Sequence, residues 1–265
     1  ADAITVEASN VSIDLSGFTL TGPGQTAGST GSGIVSGISG PKGLSVMNGR
    51  ITQFRGTGVV AGPLSIVTGI TVTHMGSCGI FANSGSLIKG NVCSDISKPD
   101  GSMAIGIDLR GRECQAVGNI CSNIEATGTD MSAYGIRDFA GSSIIRENTC
   151  RTITGSGSGT AAGIIISGGS RVEGNICAEV SGTSGKNYGI YIGGSRVTVI
   201  SNSCYGTTNE SICFGPSAIG GFASDNLTPD GALDNGKNSL DVIISQLPFT
   251  ISSPGTYRLK GTVRL

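Results

Sequence analysis

Apolar positions recur along the chain in short segments that alternate with polar positions, as in VSIDLSGFTL at 11–20. The segments are rich in Ile and Val, and Gly, Ser, Asn or Asp bounds each of them. Such alternation between turn-forming residues is typical of β-strands. Helical periodicity is absent, and the 45 glycines of the chain disfavour long helices. The pattern therefore predicts an all-β protein.

A repeat of 27 to 29 residues organises these segments. One segment of each repeat carries Asn, a variable residue and then Cys, whereas a second segment begins with Gly and an aliphatic residue. The same two segments occur upstream without Cys, for example at 44–54 and 64–75. Short strands at a fixed spacing bury their apolar faces only when successive repeats stack.

We therefore predict a right-handed parallel β-helix of about seven coils with end-capping strands. Neighbouring coils would lie about 4.8 Å apart in the strand-pairing direction. A sandwich is the alternative all-β fold, but it does not explain why the same residue types recur in the same place.

The Asn and Cys of each repeat share strand parity, so both are predicted to point into the core and to stack on their counterparts in neighbouring coils. Buried Asn would form a hydrogen-bonded ladder, and buried Cys would fill space as a small apolar residue. Disulfides between adjacent coils are the alternative, although a row of five leaves one thiol unpaired. A metal site needs four convergent ligands, so no metal is predicted. The predicted ladder consists of Asn91, Cys93, Asn119, Cys121, Asn148, Cys150, Asn175, Cys177, Asn202 and Cys204.

The segments that begin with Gly-Ile offer a candidate binding surface. If each Ile points inward, the residue after it points outward, and these outward residues form a column across neighbouring coils. Guanidinium groups bind carboxylates and aromatic rings cover sugar faces, so the column favours a carbohydrate site. The alternative is a solvated face with a surface ion pair between Asp108 and Arg137. The candidate binding residues are Phe81, Asp108, Arg110, Arg137 and Tyr191.

Other chemistry is weakly supported by the sequence. The formal net charge is −1, which disfavours a nucleic-acid partner, and no apolar run approaches the roughly 18 residues of a membrane span. A calcium site needs several carboxylates together, but parity points Asp138 inward. His74 is the only histidine and has no evident nucleophile beside it in sequence. We predict no cofactor and assign no catalytic residue.

The first coil, ITVEASNVSIDLSGFTLTG at 4–22, and the repeat as a whole resemble the right-handed parallel β-helix repeat superfamily. This pectate-lyase-like group includes polysaccharide lyases, uronan epimerases and NosD-like periplasmic proteins. The resemblance implies a secreted, periplasmic or cell-surface location, although the chain opens without the pattern of a signal peptide. It also implies that the broad face of the Gly-Ile segments is the substrate face. The paired Asp residues and the Gly-His-Gly of the pectin hydrolases are missing from this chain.

Three regions are predicted: β-helix coils at 1–224, a polar linker at 225–241, and capping strands at 242–265. The last region resembles the segment that precedes the first coil in such proteins. Three explanations are a circular permutation, with this segment returning as an end cap, the start of a second unit in a tandem or assembling array, and an ordinary C-terminal cap. Uncovered coils present open strand edges, so self-association through the coil ends is also expected.

Three functions are compatible with these features. The favoured one is a non-catalytic extracellular module with a carbohydrate-facing sheet surface. A polysaccharide lyase or uronan epimerase acting on an acidic polysaccharide is the second, and a structural or engineered, permuted scaffold is the third. The fold alone does not choose among them.

Overall fold

The computed structural model describes residues 1–25, 31–37, 39–98, 103–183 and 186–228, together with the backbone of three strands beyond them. Within these residues the chain is all β, and every strand pairing is parallel. The predicted parallel β-helix is confirmed, with about eight turns where about seven were predicted.

The strands follow one another along the chain with short turns between them. In chain order they are β1 Ile4–Thr5, β2 Ser12–Asp14, β3 Thr19–Thr21, β4 Ile34–Val35, β5 Ser45–Thr52, β6 Thr57–Ala61, β7 Ile66–Thr73, β8 Cys78–Ala82, β9 Leu87–Lys89, β10 Val92–Lys98, β11 Ala104–Leu109, β12 Gln115–Val117, β13 Ile120–Ala126, β14 Ala133–Asp138, β15 Ile144–Arg146, β16 Thr149–Gly155, β17 Ala161–Ile166, β18 Arg171–Glu173, β19 Ile176–Gly182, β20 Asn187–Ile192, β21 Thr198–Ile200, β22 Ser203–Thr207, β23 Ile212–Phe214, β24 Phe222–Leu227, β25 Ala232–Leu233, β26 Ser239–Ile244 and β27 Thr256–Leu259.

Two sheets enclose the core. The Gly-Ile sheet contains β1, β4, β6, β8, β11, β14, β17, β20, β23 and β25. The remaining strands form the Asn-Cys sheet, which bends in each coil at the buried Asn. The strands pair in the register that the repeat predicts: Cys93 lies opposite Cys121, and Ile107 lies opposite Ile136.

Each strand that contains a Cys of the row also contains one residue with a positive φ, in the left-handed region of backbone conformation. In β10 this residue is Asp95, with φ of 53°, and in β13 it is Asn123, also with φ of 53°. The resulting bend lets the Cys and the aliphatic residue three positions later both face the core, as Cys93 and Ile96 do. The bend occupies a single residue within a continuous strand.

The C-terminal strands continue the solenoid. Strand β24 pairs with β26, and β26 pairs with β27, both in parallel. The predicted linker at 225–241 overlaps the end of β24, all of β25 and the start of β26. Thr256–Leu259 therefore lies against Asp241–Ile244, whereas the first strands of the chain, Ile4–Thr5 and Ser12–Asp14, pair with the second coil. The domain division and the permutation stay predictions, and the rest of the predicted cap lies outside the described residues.

Candidate functional site

The Asn residues of the repeat form a continuous buried row. The Nδ2 of Asn119 donates to the Oδ1 of Asn148 at 2.9 Å and to the carbonyl of Ile88, also at 2.9 Å. The backbone N–H of Asn119 donates to the same Oδ1, so each side chain links three coils. The same hydrogen bond from Nδ2 to Oδ1 joins each successive pair in the series Asn91, Asn119, Asn148, Asn175, Asn202 and Asn226. Asn226 is the sixth member of the row and lies outside the Asn-x-Cys pattern.

The Cys residues of the repeat stack on one another from coil to coil and are fully buried. All eight cysteines of the chain are free thiols. Hydrogen bonding to the thiols of Cys150 and Cys93, together with burial, raises the pKa of Cys121 well above its ordinary value. The thiol of Cys121 therefore stays protonated, and its complete burial shields it from solvent, which suits packing rather than reactivity.

On the outer face of the Gly-Ile sheet, Asp108 and two arginines form a compact ion cluster. Arg137 binds Asp108 through two bonds, Nε to Oδ1 at 2.9 Å and Nη2 to Oδ2 at 2.7 Å. Arg110 donates from Nε to Oδ2 of Asp108 at 2.8 Å. The register places Asp108 opposite both Phe81 and Arg137, as the outward column predicts.

The cluster is less exposed than the sequence suggested. Asp108 is 2% exposed and Arg137 is 7% exposed, so the expectation of an open, solvated ion pair is wrong for these two residues. Burial by itself lowers the pKa of the Arg137 guanidinium, but the hydrogen bonds and the charge of Asp108 outweigh it and raise that pKa. Arg110 remains 38% exposed in its side chain and is the accessible cation of the cluster.

Two aromatic rings flank the Arg110 guanidinium. Its central carbon lies 4.8 Å from the centre of the Phe139 ring and 5.8 Å from that of Phe81. Phe139 also lies 5.8 Å from the guanidinium carbon of Arg137 and is 58% exposed. A solvated ring over two cations provides an apolar platform beside a positive charge.

Tyr191 lies apart from the cluster. Ile165 separates it from Arg137 in the outward column, because Arg137 pairs with Ile165 and Ile165 pairs with Tyr191. Tyr191 instead packs against Tyr188, with ring centres 5.1 Å apart, in an apolar patch that includes Tyr134 and Ile105. Burial raises the pKa of Tyr191, so its hydroxyl stays neutral.

Asp138 points inward, as its parity predicts, and is 1% exposed. Its carboxyl accepts hydrogen bonds from Ser143, Ser170 and the backbone N–H of Gly141. Burial raises its pKa, while these hydrogen bonds oppose the shift. Across the described ranges, no group of three or more His, Cys, Asp or Glu residues has the geometry to hold a metal ion.

Two shallow clefts lie along this face, one on each side of Met103. The first, of about 210 Å³, contains Phe81, Asp108 and Arg110, and the second, of about 250 Å³, contains Phe139 and Ile165. Met103 and Arg137 line both clefts. Neither Met103 nor Phe139 is among the residues predicted to bind. Phe139 follows Arg137 by two positions, a parity signal in the sequence, whereas Met103 directly precedes the strand β11 and has no such signal.

A separate groove of about 480 Å³ runs along the corner where the left-handed residues stack. His74, exposed and in the left-handed region with φ of 54°, lines this groove with Asp95 and Glu125. Asp95 accepts hydrogen bonds from Asn123 at 3.1 Å and from Ser94 at 2.9 Å. Sequence position could have indicated this groove, because Asp95 and Asn123 each lie two places after a Cys of the row, at the bend.

Comparison with known proteins supports the fold. No protein-family model matches the chain, and no curated protein sequence matches it. Among solved structures, a mutant of the periplasmic alginate epimerase AlgG is similar, with a TM-score of 0.50 and 14% identity over 89% of this chain and 59% of the epimerase chain. The chain thus spans about three fifths of that protein's length. An alginate lyase from a Paenibacillus strain matches at a TM-score of 0.42 and 14% identity, covering 87% of this chain and 90% of that one.

The stacked coils, their side-chain rows and the similarity to the epimerase structure establish a parallel β-helix fold. Members of one fold carry out different functions, so the function must be argued from the site. The described part of the chain contains no helix with the length and apolarity that a membrane crossing requires.

Proposed function

We propose that this chain is a non-catalytic, extracellular β-helix module that binds an acidic oligosaccharide on the outer face of its Gly-Ile sheet. The observation that carries the proposal is the ion cluster of Asp108, Arg110 and Arg137, which lies beneath the exposed ring of Phe139. Two guanidinium groups share one carboxylate, so the cluster has one positive charge in surplus.

The hydrogen-bonding capacity of the cluster favours an anionic ligand. Both oxygens of Asp108 already accept from arginines. A guanidinium carries five N–H donors, and among the described residues Arg110 donates a hydrogen bond only from its Nε. Its terminal N–H groups are therefore suited to a ligand carboxylate or sulfate.

The aromatic ring supplies the second part of a sugar site. Phe139 presents an apolar face next to the Arg110 guanidinium, and sugar rings expose C–H groups on one face that pack well against such rings. The pairing of an apolar platform with a cation distinguishes acidic sugars from neutral ones.

The carboxyl groups of this face favour binding over proton transfer. Asp108 is held by three N–H donors, and Asp138 is held below the surface by Ser143, Ser170 and Gly141. A general base must reach a substrate proton, and both groups are committed to other partners. These contacts support a structural role for each carboxyl group.

Binding of oligouronates and matched neutral oligosaccharides, measured by calorimetry at low salt, tests the proposal. Arg110→Ala is expected to weaken acidic-ligand binding at least tenfold, and rising salt is expected to weaken it further because the contact is partly exposed. Arg171→Ala is the matched control, since Arg171 is an exposed arginine that pairs with Glu173 on the other sheet. Absence of binding, or equal affinities for the two variants, would contradict the proposal.

The corner groove favours a second candidate, an enzyme acting on an acidic polysaccharide. It brings one imidazole and two carboxylates to consecutive coils, and such groups serve as general acids and bases. A uronan depolymerisation and epimerisation screen tests this candidate. Activity that His74→Ala abolishes and Arg110→Ala only weakens would favour it, whereas an inactive wild-type protein would exclude it for the uronans screened.

A further inference from the structure

We propose that the Gly-Ile face recognises one isolated acidic group flanked by neutral sugar units, and that this group displaces the Met103 thioether from Arg137. The inference rests on the proposed function and narrows its ligand class. It makes Met103 a specificity-determining residue of the site.

The first observation is the weak partner of Arg137. Its Nη1 donates to the Sδ of Met103 at 3.0 Å, while Nε and Nη2 bind Asp108. A thioether is a poor acceptor, and the Arg137 side chain is only 9% exposed, so water has little access to this N–H. A buried donor with a poor acceptor leaves interaction energy unrealised. An anionic oxygen in the place of the sulfur would form a charge-assisted hydrogen bond.

The second observation is the position of Met103 between the two clefts. Its side chain lines both of them, as does Arg137, and the clefts follow one another along the solenoid axis. Met103 is 42% exposed, and an unbranched thioether changes rotamer readily. Moving this side chain would join the two clefts into one groove with the Arg137 N–H at its centre.

The third observation is that positive charge is confined to one place in the column. The outward neighbour of Arg137 on one side is Ile165, followed by Tyr191, and the neighbour of Phe81 on the other side is Val60. Coils repeat about every 4.8 Å, close to the length of one sugar unit. Adjacent acidic units would therefore lie over apolar side chains, where an unpaired charge is costly. A chain with one acidic unit between neutral ones fits this pattern better than a polyuronate.

Three trisaccharides of equal length provide the probes: neutral–uronic–neutral, all uronic and all neutral. Calorimetry with the full chain at one ionic strength is expected to show 1:1 binding, with the mono-acidic probe at least as tight as the triuronate and at least tenfold tighter than the neutral probe. Binding of the triuronate tenfold tighter than the mono-acidic probe would overturn the isolated-acid assignment.

Substitutions of Met103 test the displacement. Met103→Ala removes the competing side chain and is expected to tighten binding of the mono-acidic probe about fivefold to tenfold. Met103→Glu supplies a competing carboxylate to Arg137 and is expected to weaken binding at least tenfold without lowering the melting temperature. Met103→Gln, of similar size but uncharged, is the control and is expected to weaken binding less than Met103→Glu.

The outcomes separate the two proposals. If no acidic probe binds the wild-type protein, the proposed function fails and this inference fails with it. If acidic probes bind and Arg110→Ala weakens them, but all three Met103 variants bind like wild type, the proposed function stands and the role of Met103 is overturned.

Discussion

Each cysteine of the buried row faces a glycine across the core, and this contact explains the Gly of the Gly-Ile segments. A Cβ added to Gly135 would lie 2.7 Å from the Sγ of Cys150 and 2.5 Å from the carbonyl oxygen of Gly163. The same contact pairs Gly106 with Cys121. None of these glycines has a positive φ, so the residue is required for space and not for backbone conformation.

Gly135→Ala is therefore expected to destabilise the protein by about 1–3 kcal/mol, because the added methyl group overpacks the core against both a side chain and a backbone oxygen. Urea unfolding followed by circular dichroism measures the change. Gly193→Ala is the control, since a Cβ there would meet its nearest neighbours at 3.5 Å, an ordinary contact distance. Equal stability of the two variants would contradict the packing argument.

At the scale of the element, the Asn row holds the bend of the Asn-Cys sheet in register. From Asn119 onward, each Oδ1 accepts from the backbone N–H and from the Nδ2 of the Asn in the preceding coil, and each Nδ2 of the row also donates to a buried carbonyl. Buried amide groups that lose such partners are costly. The row thus specifies the stacking of coils as well as contributing to stability.

Asn148→Ala is expected to destabilise the protein by about 3–5 kcal/mol, because it removes the Oδ1 that accepts two hydrogen bonds from Asn119 and the Nδ2 that donates to Ala116 and Asn175. Gln115→Ala, at an exposed position of the same sheet, should change stability by no more than about 0.5 kcal/mol. Thermal and urea unfolding of both variants provide the measurement. A loss below about 1 kcal/mol for Asn148→Ala would show that water or neighbouring groups replace the lost contacts.

The elements could be predicted from the sequence to the extent that they depend on repetition. Strand parity correctly placed Ile107 and Ile136 inside and Asp108 beside Arg137, because stacked coils share one register. The burial of Arg137 could not be predicted, since Met103 and Phe139, which come from different coils, both contact its guanidinium. Repetition predicts what each coil has in common, whereas the candidate site is formed by residues in which the coils differ.

For the molecule as a whole, the strand pairings join each coil to its immediate neighbours, which is the arrangement of a one-dimensional repeat protein. The charged groups of the proposed site, together with Phe81 and Phe139, come from the coils of Phe81, Asp108 and Arg137, near the middle of the described solenoid. The coil that begins at Asn148 contributes Ile165 and Ser167 to one cleft but none of the charged groups. Its principal role is therefore to stack on its neighbours.

Deleting residues 148–174 removes one full repeat and joins Glu147 to Asn175, so that Cys177 takes the place of Cys150 opposite Cys121. Because stability in such a solenoid is approximately a sum over repeats and their interfaces, the shortened chain is expected to fold cooperatively with a lower melting temperature. Circular dichroism and thermal unfolding measure both properties. Deleting residues 148–161 is the control, since it removes about half a repeat and shifts every later side chain out of register. If the shortened chain with a full repeat removed unfolds as readily as this control, the stacking of equivalent coils does not by itself determine the fold.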